Sequence, residues 1–308
     1  MDDTIIPLVS VCCLTYNHEQ YIKQCLDGIL MQKTNFPFEV LIHDDASQDG
    51  TQRVIKEYEK SNPDIICPFF QTNNQYSLGK GFVGLGIMFT NARGKYIALC
   101  EGDDYWTDPM KLQKQVDFLE SHPEYSMCFH NAMEHWVDKY SKDKLFSKVE
   151  DRDYYGPELY KVWTVPTASC CLRSAVIDDD YYQVLRRNPN FCFGDILIFI
   201  ACANYGKIRG MSFVGSVYRR SVKGTATATS SYKHCMHNLE IYKTVGSDYK
   251  EIAKKFFFNM APMVFFEQHI TVKERFMLLN NSIKLSIYQT IKRYSLFLLR
   301  RIFNRTIE

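Results

Sequence analysis

Apolar runs and helical spacings alternate along the first two-thirds of this chain. Residues 8–14 (LVSVCCL) are a continuous apolar run rich in β-formers, as expected of a strand buried on both faces. Ile22, Leu26 and Ile29 then recur at helical spacing, which predicts a helix from about residue 19 that NFP at 35–37 stops. Strand patterns return at 38–43, 65–71 and 96–100, separated by a helix carrying Val54, Ile55 and Tyr58 and by a glycine-rich stretch (79–86) opening a helix over about 84–92. Beyond these lie a helix at 111–121 with Leu112, Val116 and Leu119 on one face, and a strand at 126–131. A charged stretch at 138–152 reads as a surface insertion. A short strand of small residues is expected at 165–172, an apolar helix at 196–204, and a last pair of strands within 206–217. From about 225 the chain becomes a small polar linker followed by helical patterns at 234–245, 249–260 and one long final segment.

Strand–helix–strand alternation of this kind implies an α/β fold with a mostly parallel sheet and right-handed crossovers. Three of its strands discharge polar residues at the same end: Thr15-Tyr16-Asn17-His18, then Asp44-Asp45, then Glu101, Asp103 and Asp104. One crevice should therefore collect Tyr16, Asp45, Asp103 and Asp104. Carboxylates as close as those of the third set repel unless a cation or hydrogen-bond donors lie among them. Hard oxygen ligands at a strand end suit Mg²⁺ or Mn²⁺ shared with a phosphate. Asp108 followed by Pro109 reads as the N-cap and first residue of the next helix.

Composition narrows the class. The apolar share is 46%, the charged share 23% and the net charge +2, which favours no nucleic-acid partner. The 11 cysteines include no C-x-x-C spacing and fall mainly in apolar runs, the pattern of reduced buried thiols in a cytoplasmic protein. The opening MDDTIIP does not read as a signal peptide, and no run reaches the ~18 apolar residues of a membrane-spanning helix.

Three blocks, VSVCCLTYNHEQYI, FEVLIHDDASQDGT and ARGKYIALCEGDDYWTDP, resemble in wording, order and spacing the family 2 inverting glycosyltransferases of GT-A fold. The resemblance extends to bacterial members that build surface polysaccharide and covers about two-thirds of the chain. It implies a catalytic region over 1–224, with a nucleotide-sugar half to about 110 and an acceptor half after it, and a C-terminal helical region over 225–308. It further implies that Tyr16 packs on a nucleotide base, that Thr15 lines the same pocket, and that Asp45 hydrogen-bonds the base with Asp44 in support. Asp103 would contact the ribose or metal, and Asp104 the metal bridging the diphosphate. Glu101 stands where the family usually has Asp. Asp195, ahead of the apolar helix, would be the general base, with an N-terminal helix cap as its ordinary alternative. Thr167 and Ser169 would border the acceptor. Many relatives carry a histidine after a Tyr-Arg pair; here Ser221 follows, so Arg219, Arg220 or Lys223 is expected to meet the diphosphate instead. The implied donor is a UDP-sugar and the acceptor a glycan or lipid-linked saccharide. A sugar nucleotidyltransferase is disfavoured because TYNHEQ replaces a basic, glycine-rich phosphate loop; a catalytically silent GT-A protein is the other alternative.

In the final segment Ile283, Ile287, Ile291, Tyr294 and Leu298 share a helical face, with Lys292, Arg293 and Arg300 off it. Such a basic amphipathic helix fits the cytoplasmic surface of an anionic membrane, or equally a packed interface with the catalytic domain or a second subunit of a homodimer.

Overall fold

A computed structural model describes residues 6–78, 82–138, 141–221 and 230–305. The chain divides into two compact units: residues 1–187 with 194–222, and residues 188–193 with 223–308.

The first unit alternates as its pattern predicts. In order come β1 (Val9–Thr15), α1 (Ile22–Leu30), β2 (Phe38–Asp44), α2 (Thr51–Ser61), β3 (Ile66–Phe70), α3 (Val83–Asn91), β4 (Tyr96–Leu99), β5 (Tyr105–Trp106) and α4 (Lys111–Ser121). There follow β6 (Tyr125–Trp136), β7 (Lys144–Leu145), β8 (Asp153–Tyr154), α5 (Gly156–Lys161), β9 (Cys171–Arg173), α6 (Ala175–Asp178), α7 (Asp180–Arg186), α8 (Gly194–Tyr205) and β10 (Lys207–Arg220). One mixed sheet runs β3-β2-β1-β4-β9-β6-β10-β5. Its first four strands are parallel, as are β6 and β10, whereas β9 runs antiparallel to both β4 and β6. The carboxyl ends of β1, β2 and β4 therefore share one edge, where a parallel sheet binds its ligand.

Burial explains why the apolar runs become these strands. Val9, Val11 and Cys13 of β1 meet Ile22, Leu26 and Ile29 of α1 in one core, each buried Leu or Ile contributing about 1.5–3 kcal/mol. Gly28 lets α1 approach β5 closely, since a Cβ there would lie 2.7 Å from the Trp106 carbonyl. Helix α8 buries Leu197 through Cys202 consecutively, as a helix apolar on all sides must.

Several expectations are corrected. The segment 206–217 belongs to one long strand, β10, that pairs in parallel along β6 and absorbs register shifts as bulges between Met211 and Ser216 in place of a turn. Residues 165–172 contain a 3₁₀ turn (Thr167–Ser169) before the short β9, which takes only their last two residues. Helix α4 begins after Met110, with Asp108 Oδ1 accepting the Met110 N–H at 2.9 Å, so the Asp108-Pro109 pair forms the approach turn. The charged 138–152 stretch contributes β7, paired with β6. All eleven cysteines are free and most are buried. The glycines at 79 and 81 and most of the polar linker, including Lys223, lie outside the described residues.

The second unit is helical: α9 (Ser231–Thr244), α10 (Ser247–Phe265), α11 (Val272–Leu285) and α12 (Ile287–Arg305). Cys235, Leu239, Phe257, Phe258, Val264 and Leu278 form its core. Ser230 caps α9, and Thr271 with Glu274 forms a capping box on α11. The long final segment is two helices, interrupted at Ser286, whose backbone is extended.

Candidate active site

The loops after β1 and β2 are laced together before any ligand is considered. Asn17, with φ 54°, donates its N–H to Ser47 Oγ at 2.9 Å and accepts the Gln48 N–H at 2.8 Å. His18 N–H reaches Thr51 Oγ1 at 2.8 Å, and Gly50 N–H reaches Glu19 at 3.0 Å. Asp44 is fully buried and accepts from the Ser47 N–H and hydroxyl and from Gln52 Nε2. Its carboxylate therefore shapes the loop and faces no solvent. Asp45 accepts the Gln75 N–H at 2.7 Å and the Tyr76 N–H at 2.9 Å, tying the β2 loop to the segment after β3. Tyr16 stands 41% exposed at the same edge, its ring open to a stacking partner.

The acidic block joins this edge through Gly102. A Cβ at that position would lie 2.8 Å from Thr15 Oγ1 and 2.9 Å from His18 Nδ1, so only glycine lets the block pack against the β1 loop. Thr15 Oγ1 and His18 Nδ1 are buried and unpartnered, as is Asp104 Oδ2. His18 Nε2 lies 3.8 Å from Asp103, whose carboxylate is part-exposed.

Arg219, at the end of β10, organises the block from the far side. Its N–H donates to Asp104 Oδ1 at 2.8 Å; its guanidinium donates to the Asp103 carbonyl and to Gln24. The guanidinium also lies over the rings of Tyr105 (4.4 Å) and Tyr21 (5.0 Å). Arg220 pairs with Glu134 at 3.3 Å. Both guanidinium groups thus have partners within the first unit, and the Arg220 side chain stays 42% exposed.

Asp195 opens α8, where its Oδ1 accepts the Ile196 N–H at 2.8 Å. It lines a small cavity of about 30 Å³ with Glu101, Thr167, Leu14, Leu99 and Ile198. Ser169 does not line it; that hydroxyl is buried and donates to the Pro166 carbonyl at 2.7 Å. Burial pushes the Asp195 carboxyl up. Glu101 is pushed up to about 8 by burial, then by the charges of Asp103 and Asp195. Asp104 rises well above the carboxylate range, through burial and then Asp103 and Glu101. Three buried carboxyls, two of them raised further by neighbouring charges, mark a place where a cation or a proton lowers the energy.

Among the described residues no group of three His, Cys, Asp or Glu side chains is arranged to hold a metal ion. The unpartnered, buried Asp104 Oδ2 beside the part-exposed Asp103 nevertheless fits a cation whose remaining ligands come from a phosphate and water. Sequence reasoning passed over His18, Glu101 as a neighbour of Asp195, and Arg219 as an anchor of the block. His18 follows directly on the TYN turn, which is the signal that could have marked it.

The fold is an α/β one that gathers its carboxylates at a single edge of the sheet. The family model for glycosyl transferase family 2 matches residues 10–186, more than half of the chain, and the protein belongs to that family. An uncharacterized protein of Mycobacterium tuberculosis H37Rv is 47% identical over 126 residues, 40% of this chain and 34% of its own. The chain thus matches only about a third of that relative's length. The Escherichia coli UDP-Glc:alpha-D-GlcNAc-diphosphoundecaprenol beta-1,3-glucosyltransferase WfaP is 24% identical over 242 residues, covering 78% of this chain and 87% of WfaP. The crystal structure of Staphylococcus aureus TarS residues 1–349 with UDP-GlcNAc superposes with a TM-score of 0.61 at 17% identity, over 89% of this chain and 79% of TarS. No helix among the described residues is long and apolar enough to cross a membrane.

Proposed function

We propose that this chain transfers a sugar, with inversion, from a UDP-sugar to a hydroxyl of a glycan or lipid-linked acceptor in polysaccharide biosynthesis at the cytoplasmic side of the membrane. One observation carries the reading: Asp195, from the start of α8, lines the same cavity as Glu101 of the acidic block. A base and a donor-binding block are then neighbours although 94 residues separate them. The UDP-GlcNAc bound in the TarS crystal structure and the UDP-Glc and diphosphoundecaprenol in the name of WfaP support the donor and acceptor classes.

In this reading Asp195 takes the proton of the acceptor hydroxyl. Burial makes its carboxylate a stronger base than an exposed one. The acceptor oxygen forms its bond to the anomeric carbon on the face opposite the diphosphate, and the bond to the diphosphate oxygen breaks, so an α-linked donor gives a β-linkage. Asp103 and Asp104 hold a divalent cation, Mn²⁺ or Mg²⁺, which when bound neutralises charge on the departing diphosphate. Tyr16 stacks on the base, a contact worth about 1–3 kcal/mol. Thr15 Oγ1, buried and without a partner, offers a hydrogen bond in the same pocket. Asp45 and its neighbour Asp44 fix the loop that frames the base.

The test is Asp195→Asn assayed with a panel of UDP-sugars. Transfer should fall by roughly 10²–10⁴-fold while UDP binding, read by calorimetry, stays unchanged. Full transfer by the variant would remove the base assignment. Release of nucleoside diphosphate, not pyrophosphate, separates transfer from nucleotidyl exchange.

A further inference from the structure

The C-terminal helices of the second unit present a surface that its own core does not use. Helix α12 is held to α10 by one side: Tyr294 is buried with its ring 5.5 Å from Phe265, and Phe297 stacks on Phe266 at 5.6 Å. Tyr294 is thus the part of the apolar face that packs inward. The rest of that face stays outside. Ile287 is 63% exposed, Ile291 64% and Leu298 42%; Tyr288 at 67%, and Ile283 at 45% near the end of α11, are exposed as well. Lys284, Lys292 and Arg300 are exposed around it.

Charge selects the occupant. Residues 283–305 contain six basic residues and no acidic one, although the whole chain carries only +2. Two copies of so positive a surface would repel each other, which disfavours a symmetric self-interface. An apolar strip rimmed by lysine and arginine, on a helix of modest overall hydrophobicity, matches the boundary between acyl chains and anionic headgroups. We propose that α12, with the end of α11, docks the protein on an anionic lipid bilayer, lying in the plane of the interface. The proposal does not depend on the transferase reading, because vesicle binding is measured without donor or acceptor.

The experiment is flotation of the full chain with vesicles of phosphatidylcholine alone and of phosphatidylcholine mixed with phosphatidylglycerol, at low and high salt. Binding should require the anionic lipid and weaken at high salt. Each basic side chain near the surface contributes about five-fold in partition. Lys284→Glu with Lys292→Glu and Arg300→Glu should therefore lower binding by more than about ten-fold, and Ile287→Ser with Ile291→Ser should lower it independently. These positions are exposed, so melting temperature should not move; if a variant does melt earlier, the salt titration of the native chain carries the test. Equal binding to neutral and anionic vesicles, or no binding to either, overturns the proposal. So does a native dimer, seen by light scattering, that the charge variant splits while vesicle partition stays constant.

Discussion

The N–H of Arg219 donates to Oδ1 of Asp104 at 2.8 Å, leaving Oδ2 buried and unpartnered. The last strand of the first unit thus satisfies one oxygen of the acidic block with backbone and holds the other ready. The guanidinium of the same residue fastens the Asp103 carbonyl and lies over two tyrosine rings.

Replacing that guanidinium should loosen the block without removing the backbone bond to Asp104. Arg219→Ala is expected to cost about 1–3 kcal/mol, from the lost hydrogen bonds and ring contacts. Thermal unfolding reads the loss, and donor KM should rise with it. Arg219→Lys should recover only part, because an ammonium cannot span both acceptors. An alanine variant with native stability and native KM would show the anchor to be idle.

The raised carboxyl of Glu101 makes the donor-free protein sensitive to pH. Its folded-state value of about 8 lies above its usual 4.5, through burial and the charges of Asp103 and Asp195. Between those values the folded state binds more protons than the unfolded state, so stability falls as pH rises. The contribution is intact below about 4.5 and lost through about 8. The melting temperature of the metal-free protein should therefore decline across that window, and Glu101→Gln should flatten the decline. Adding Mn²⁺ with UDP at the upper end should restore stability by mass action. A melting curve equally pH-dependent in native and Gln forms would exclude Glu101 as the source.

Gly102 is where the block packs tightly on the β1 loop. Gly102→Ala places a methyl 2.8 Å from Thr15 Oγ1 and 2.9 Å from His18 Nδ1, so one of the two loops must move. A loss of about 1–3 kcal/mol is expected, accompanied by weaker UDP binding in calorimetry. Native binding in the alanine variant would mean that the two loops are not rigidly coupled.

Asp45 holds the segment after β3 through two backbone N–H groups. Asp45→Ala leaves both donors without this acceptor and should cost about 1–3 kcal/mol. Limited proteolysis within residues 72–78 should accelerate, and nucleotide affinity should drop with it. If proteolysis is unchanged while affinity drops, Asp45 acts on the ligand and not through the loop.

Much of the architecture could be read from periodicity. The run at 8–14 and the 3.6-residue spacing of Ile22, Leu26 and Ile29 describe β1 and α1 to within a few residues, because a strand buried on both faces and a helix with one apolar side leave different marks. The same logic failed for β10. Val214 and Ser216 sit at bulges where pairing with β6 slips, and a slip of register leaves no trace in composition. Spacing also says nothing of which part of the α12 face is covered: Tyr294 packs against Phe265, while Ile287, Ile291 and Leu298 stay exposed.

The chain alone determined the parallel α/β class, the family, and the set of carboxylates gathered at strand ends, because local period and acidic spacing are properties of neighbouring residues. Which oxygen atoms are already spent was decided only in three dimensions. Asp44 is consumed by Ser47 and Gln52, Asp45 accepts from Gln75 and Tyr76, Arg220 pairs with Glu134, and Asp104 keeps one buried oxygen without a partner. Those pairings, with the Arg219–Asp104 bond, join residues up to 115 positions apart, and hydrogen bonds across such distances follow from packing of the sheet, which no local pattern encodes.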